Sequence, residues 1–245
     1  MLLKPYRFRS DPHYVKDNNR QLEMALTLEI VTRTRRFEAL LRGRASAEHD
    51  CPLLARAEWL VAPTLGAIVP NWLLLIPRDP VLNFRVWAEL HGRRPVGLLQ
   101  DVRLHLGLRA NEIIWFEHGP FSTGTLIGCG LDHAHIHILI RPCFSFEAFT
   151  KKARSLSDLE WAANENYDAY RTLAVERSYL IAGSGDATII AQDVESTGSQ
   201  FFRRVVGALA DVGDAWDYRR YPHVHYVGQT IRTFRSLESV AGRGC

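Results

Sequence analysis

The sequence has only four cysteines in 245 residues, Cys51, Cys129, Cys143 and Cys245, and none falls into a CxxC pair or a zinc-ligand spacing. A dense disulfide framework is therefore not expected. No apolar run approaches the ~20 residues that a helix needs to span a bilayer. The first nine residues lack the long apolar core of a secretion signal. The formal charge of +3 is too small to demand a nucleic-acid or membrane partner. Internal repeats and low-complexity linkers are missing too. These absences leave a reduced, cytoplasmic protein with no membrane partner as the expectation. What is present is ordinary globular material, 47% hydrophobic and 23% charged, in a chain long enough to bury a core.

Periodicity sketches the elements. Residues 17–43 read as a helix, capped by Asp17 or Asn18, with Leu22, Leu26, Ile30, Phe37, Leu40 and Leu41 at helical spacing. Two apolar runs, 57–62 and 72–76, are separated by Pro63, Gly66 and Pro70 and read as strands around a turn. A helical pattern over 80–107 is broken by Gly92 and Pro95 into two helices. Strands are expected at 112–116 and 133–140, with a glycine-rich loop between them. A mainly helical stretch follows over 145–174, then strands at 178–182 and 187–192, and helices at 199–209 and 226–236. Strand pairs interleaved with helices, without regular βαβ alternation, argue for an α+β fold with a mainly antiparallel sheet and packed helices.

The chemistry concentrates in His133-Ala134-His135-Ile136-His137. In a strand, alternate side chains share a face, so three imidazoles would point one way and Ala134, Ile136 and Ile138 the other. Three readings of the triplet compete: histidines satisfied by packing or solvent, a metal site built from the three rings, and nucleophilic catalysis at phosphorus. The loop upstream, with Gly119, Ser122, Thr123, Gly124, Gly128 and Gly130, has the glycines and small hydroxyls that let backbone amides approach an anion, and it tilts the balance towards phosphate. His118 and Glu117 precede it, Glu117 either orienting a histidine or capping the strand end. Cys129 reads as a small residue in a tight loop and His223-Val224-His225 as structural. Ser199 reads as a helix cap, with a weaker option of a phosphate site near Arg203.

The run 133–139, His-Ala-His-Ile-His-Ile-Leu, resembles the signature of the histidine triad (HIT) superfamily of nucleotide hydrolases and transferases. Pro70-Asn-Trp-Leu-Leu-Leu-Ile-Pro77 is similar to the family's preceding strand, and Glu117-His118-Gly119 to its polar-glycine loop. Residues 199–204 and 216–219 resemble, less closely, the C-terminal half of larger HIT-like proteins. The resemblance implies one HIT-like domain over 1–245, with a catalytic core at 57–142 and a C-terminal extension at 145–245 packed on it. It implies that His135 becomes nucleotidylated, that the His133 carbonyl holds His135 Nδ1–H, and that His137 meets the phosphate and assists charge or proton movement. Thr64 would lie near the ribose, and Glu117, Gly119, Ser122, Thr123 and Gly130 would line the substrate site. One departure stands out: Asn71-Trp72 occupies the place of a supporting histidine, for which His118 is the candidate substitute.

The implied activity is hydrolysis or transfer at a phosphoanhydride, phosphoramidate or phosphoester of a nucleoside monophosphate, with a nucleotide or nucleotide-conjugate substrate and neither cofactor nor metal. Small members form homodimers, which is the sole ground for considering a homodimer here. The alternatives are a non-catalytic nucleotide-binding scaffold and a metal-dependent enzyme that uses the three histidines as ligands.

Overall fold

A computed structural model describes residues 37–44, 47–128, 131–164 and 169–242. Eight strands form one antiparallel sheet: β1 Leu54–Ala55, β2 Trp59–Pro63, β3 Trp72–Pro77, β4 Ile113–Gly119, β5 Ile136–Ile140, β6 Ala162–Asn164, β7 Tyr179–Ser184 and β8 Ala187–Gln192, in the order β1-β2-β3-β5-β4-β7-β8-β6. The described α-helices of eight residues or more are α1 Phe84–His91, α2 Pro95–His105, α3 Phe146–Ser155, α4 Phe201–Leu209 and α5 Val224–Ala241. The expected α+β class with an antiparallel sheet is what the chain forms. None of the described helices is long and apolar enough to cross a membrane.

The sheet is covered on both faces, which explains why β3 reads as an unbroken apolar run rather than an alternating one. Leu73, Leu75, Trp115, Ile136, Ile138 and Ile181 pack with Phe84, Trp87, Leu98, Val102 and Phe234 under α1, α2 and α5. Trp72, Ile114, Phe116 and Leu139 pack on the other face with Phe149, Phe201, Phe202 and Val205 from α3 and α4. Phe37 and Leu40, in the described helical residues 37–41, join Leu74, Ile76 and Leu131 beside that second layer.

Gly92 ends α1 in the left-handed conformation and Pro95 opens α2, so the expected break between two helices is present. Asn83 caps α1 by accepting from Val86 N–H at 2.9 Å. Most of the helix expected over 17–43 lies outside the described residues, as do Cys129, Gly130 and Cys245.

Three expectations need correction. The helix expected over 145–174 stops at Ser155, where Ser155 and Ser157 hydroxyls donate to Lys152 and Ala153 carbonyls and compete with the ladder. Residues 162–164 then add an edge strand. The histidine strand begins at Ile136 rather than 133, because β3 ends at Pro77, which has no N–H to offer the ladder. Ala134 N–H instead donates to Val81 carbonyl at 2.7 Å. Finally, β4 runs on to Gly119, its last residues pairing with β7, so residues 162–192 continue the sheet that residues 59–140 begin.

Candidate active site

The strand pairings bring the histidines together. His137 sits opposite Leu74 of β3 and Phe116 of β4, so the face that holds Phe116 and His118 also holds His135 and His137. The His135 and His137 ring centres are 5.0 Å apart, and His118 stands perpendicular to His137 at 6.1 Å. All three are buried.

Partners that can only donate or only accept fix each ring's tautomer. His133 Nε2 bonds the Pro77 carbonyl at 2.9 Å, so Nε2 carries the proton. His135 Nδ1 bonds the His133 carbonyl at 2.9 Å, so its proton is on Nδ1 and, in the neutral ring, the lone pair is on Nε2. The Trp72 indole donates to His137 Nδ1 at 2.9 Å, which places the His137 proton on Nε2. Phe202 N–H donates to His118 Nε2 at 3.0 Å, leaving the His118 proton on Nδ1. Burial holds His118 well below the ordinary histidine range, with nearby His135 and Arg203 adding to it, and burial also lowers His133.

His135 and His137 border a cavity of about 20 Å³, room for roughly one water. Thr64, Leu65, Leu131, Arg203 and Tyr218 complete most of the wall. Arg203 is 2% exposed. Its guanidinium donates to the Gly66 carbonyl and, from Nε at 3.0 Å, to the Trp216 carbonyl. It lies over the Trp72 and Tyr218 rings at 5.0 and 5.4 Å. Gly66 is needed beneath it: φ is +74°, and a Cβ there would come within 2.3 Å of Tyr218 Cβ. Phe37 stands edge-on to His133 and His135 at 5.7 and 5.4 Å.

No model of a known protein family matches the chain, and no curated protein matches it.

Of the expected residues, the fold gathers His135, His137 and Thr64 at the cavity and His118 close behind, with His133 contributing its carbonyl. His118 is not the substitute for a supporting histidine: its ring serves the α4 N-terminus, and Trp72 itself supports His137. Glu117 belongs to the opposite face of the sheet. It accepts from Phe84 N–H at 2.7 Å and Tyr179 hydroxyl at 2.9 Å, and complete burial raises its carboxyl to about 7. Gly119 is a packing glycine, since a Cβ there would meet the Tyr179 ring at 2.1 Å.

Ser122 and Thr123 are exposed, and no described residue of the loop 120–128 borders the cavity. That loop is tied elsewhere: Pro120 carbonyl accepts from Asn83, Phe121 N–H donates to Ser178, and Gly124 N–H donates to Asp132. Gly130 lies outside the described residues. Among the described residues, no three His, Cys, Asp or Glu side chains are placed to hold a metal ion.

Sequence reasoning missed Tyr218, and it offered Arg203 only as the weaker option of a phosphate site at a helix start, apart from the histidines. The signal for Arg203 was available. In Phe-Phe-Arg-Arg-Val-Val, the arginine at 203 falls on the buried side of α4, a turn before Val206 and Gly207, where a charge needs a reason.

Proposed function

We propose that the protein is a HIT-like nucleotide hydrolase or nucleotidyltransferase that works through a covalent nucleotidyl-His135 intermediate. The observation that carries this reading is the bond from His135 Nδ1 to the His133 carbonyl, beside a cavity that His135 shares with His137. It orients the imidazole and leaves the Nε2 lone pair as the nucleophile.

In the first step that lone pair forms an N–P bond. The bond from phosphorus to the leaving group breaks, and its electron pair departs with that group. In the second step water or another acceptor attacks phosphorus, the N–P electron pair returns to Nε2, and the acceptor's proton is released. His137, with its proton on Nε2, donates a hydrogen bond to a phosphoryl oxygen. A nucleotide is far larger than the present cavity, so binding displaces part of the wall formed by Leu65 and Leu131.

Intact-protein mass spectrometry after brief exposure to dinucleoside polyphosphates, nucleoside phosphoramidates and nucleotide sugars tests the reading. A nucleoside monophosphate added to wild-type protein and absent from His135→Ala is expected. Binding with neither an adduct nor released mononucleotide would instead make the protein a scaffold.

A further inference from the structure

The proposed transfer creates a charge problem that the histidines do not solve. His135 attacks only as the neutral ring. A protonated His137 could not accept the Trp72 N–H on Nδ1, nor a protonated His118 the Phe202 N–H on Nε2, so both are neutral as well. None of these rings brings a fixed positive charge to an incoming phosphate. His137 is also a poor proton source: surrendering its Nε2 proton would leave an imidazolate, so it donates a hydrogen bond and keeps the proton.

Among the described residues bordering the cavity, Arg203 is the one with a permanent charge. Two carbonyls and two aromatic faces hold its guanidinium in place before any ligand arrives. A buried, pre-oriented cation opposes developing negative charge far better than a mobile surface side chain, because no reorganisation is needed and little water screens it. The same side chain presses on the indole that fixes the His137 tautomer, so cation and hydrogen-bond donor are positioned as one unit.

Resting on the nucleotidyl-histidine reading, we propose that Arg203 neutralises the transferred phosphate and that the substrate is a phosphoanhydride whose leaving group departs as an unprotonated anion. His135 Nε2 donates its pair to phosphorus, the P–O bond to the leaving phosphate breaks, and the pair stays on that oxygen without any proton transfer. An amine or alkoxide leaving group would need a proton that the described histidines around the cavity do not supply.

The test compares diadenosine tetraphosphate with adenosine 5′-phosphoramidate on wild-type protein, following mononucleotide release and the mass added to His135. Faster turnover of the anhydride, by on the order of 100-fold, is expected. Arg203→Gln should lower kcat on the anhydride by a factor on the order of 100, and Arg203→Lys should recover part of it. Arg203 also ties Gly66 and Trp216, so the melting curve of each variant is recorded, while the wild-type substrate comparison needs no variant to fold. Equal turnover of the amidate, especially if lost in Tyr218→Phe, overturns the proposal, as does a folded Arg203→Gln with unchanged kcat. In either case an adduct on His135 leaves the underlying reading standing. No adduct with either substrate removes that reading and this inference with it.

Discussion

Glu117 and His118 are neighbours on β4 and face opposite sides of one sheet, and burial shifts both towards their neutral forms. For Glu117 this means a carboxyl raised to about 7, and for His118 an imidazole held well below its usual range. A titration shift alone therefore does not tell the two faces apart. Their surroundings do. Glu117 spends its oxygens on the α1 N-terminus and Tyr179, inside a layer of large apolar side chains. On His118's face the rings are oriented one by one around a cavity, with a buried guanidinium in its wall. The first arrangement fastens a helix to a sheet, and the second holds three imidazoles in fixed tautomers beside a cation.

The largest expected effect separates the faces outright. His135→Ala should reduce turnover by a factor on the order of 10⁶ and abolish the covalent adduct, while the melting temperature moves by no more than about 5 °C. A variant with wild-type turnover would break the comparison at its root.

The Glu117 side should respond in stability instead. Its folded pKa, about 7, lies above the ordinary 4.5. Its contribution to stability is then complete below pH 4.5, declines as the pH rises towards 7, and is gone above that. The shift corresponds to roughly 3 kcal/mol. Urea unfolding at a series of pH values should show this decline in wild type and not in Glu117→Gln, where the shared background of other groups cancels. Parallel curves would mean that Glu117 ionises in the folded protein as readily as in the unfolded chain.

A smaller change tests the link from Trp72 to His137. Trp72→Phe keeps an aromatic ring beside Phe116 but removes the indole N–H. The unmet acceptor should cost about 1–2 kcal/mol. More diagnostic is the nitrogen NMR signature of His137, which should change from one fixed tautomer to a mixture. An unaltered signature would assign the tautomer to some other contact.

Much of this was legible from pattern. The break at Gly92 and Pro95, the two-sided burial of β3 and the alternation through His137 follow from local rules, and the fold keeps them. What was not legible depends on pairing across the sheet. Which face Glu117 takes is set by the register of β4 against β5 and β7, and no local pattern reveals it. The glycine loop had the right composition for an anion cradle, but its backbone is tied to Asn83, Ser178 and Asp132. The cation came from α4, over sixty residues beyond the histidines; the sequence raised Arg203 as a weaker phosphate option, but nothing in it tied that arginine to the histidine strand.

The smallest effect is expected where the same letters recur in another context. His223-Val224-His225 repeats the histidine alternation, but Val224 opens α5, and residues two apart on a helix do not share a face. His223 is the N-cap, with φ 44°, and its Nε2 bonds the Ala215 carbonyl at 2.7 Å. His225 is exposed and packs on Tyr226 at 4.1 Å. Neither borders the cavity of His135. His225→Ala should therefore leave turnover within about twofold and stability within about 0.5 kcal/mol. A large loss of turnover would mean that the helical pair takes part in the chemistry, and strand context would no longer be what singles out His135 for the proposed reaction.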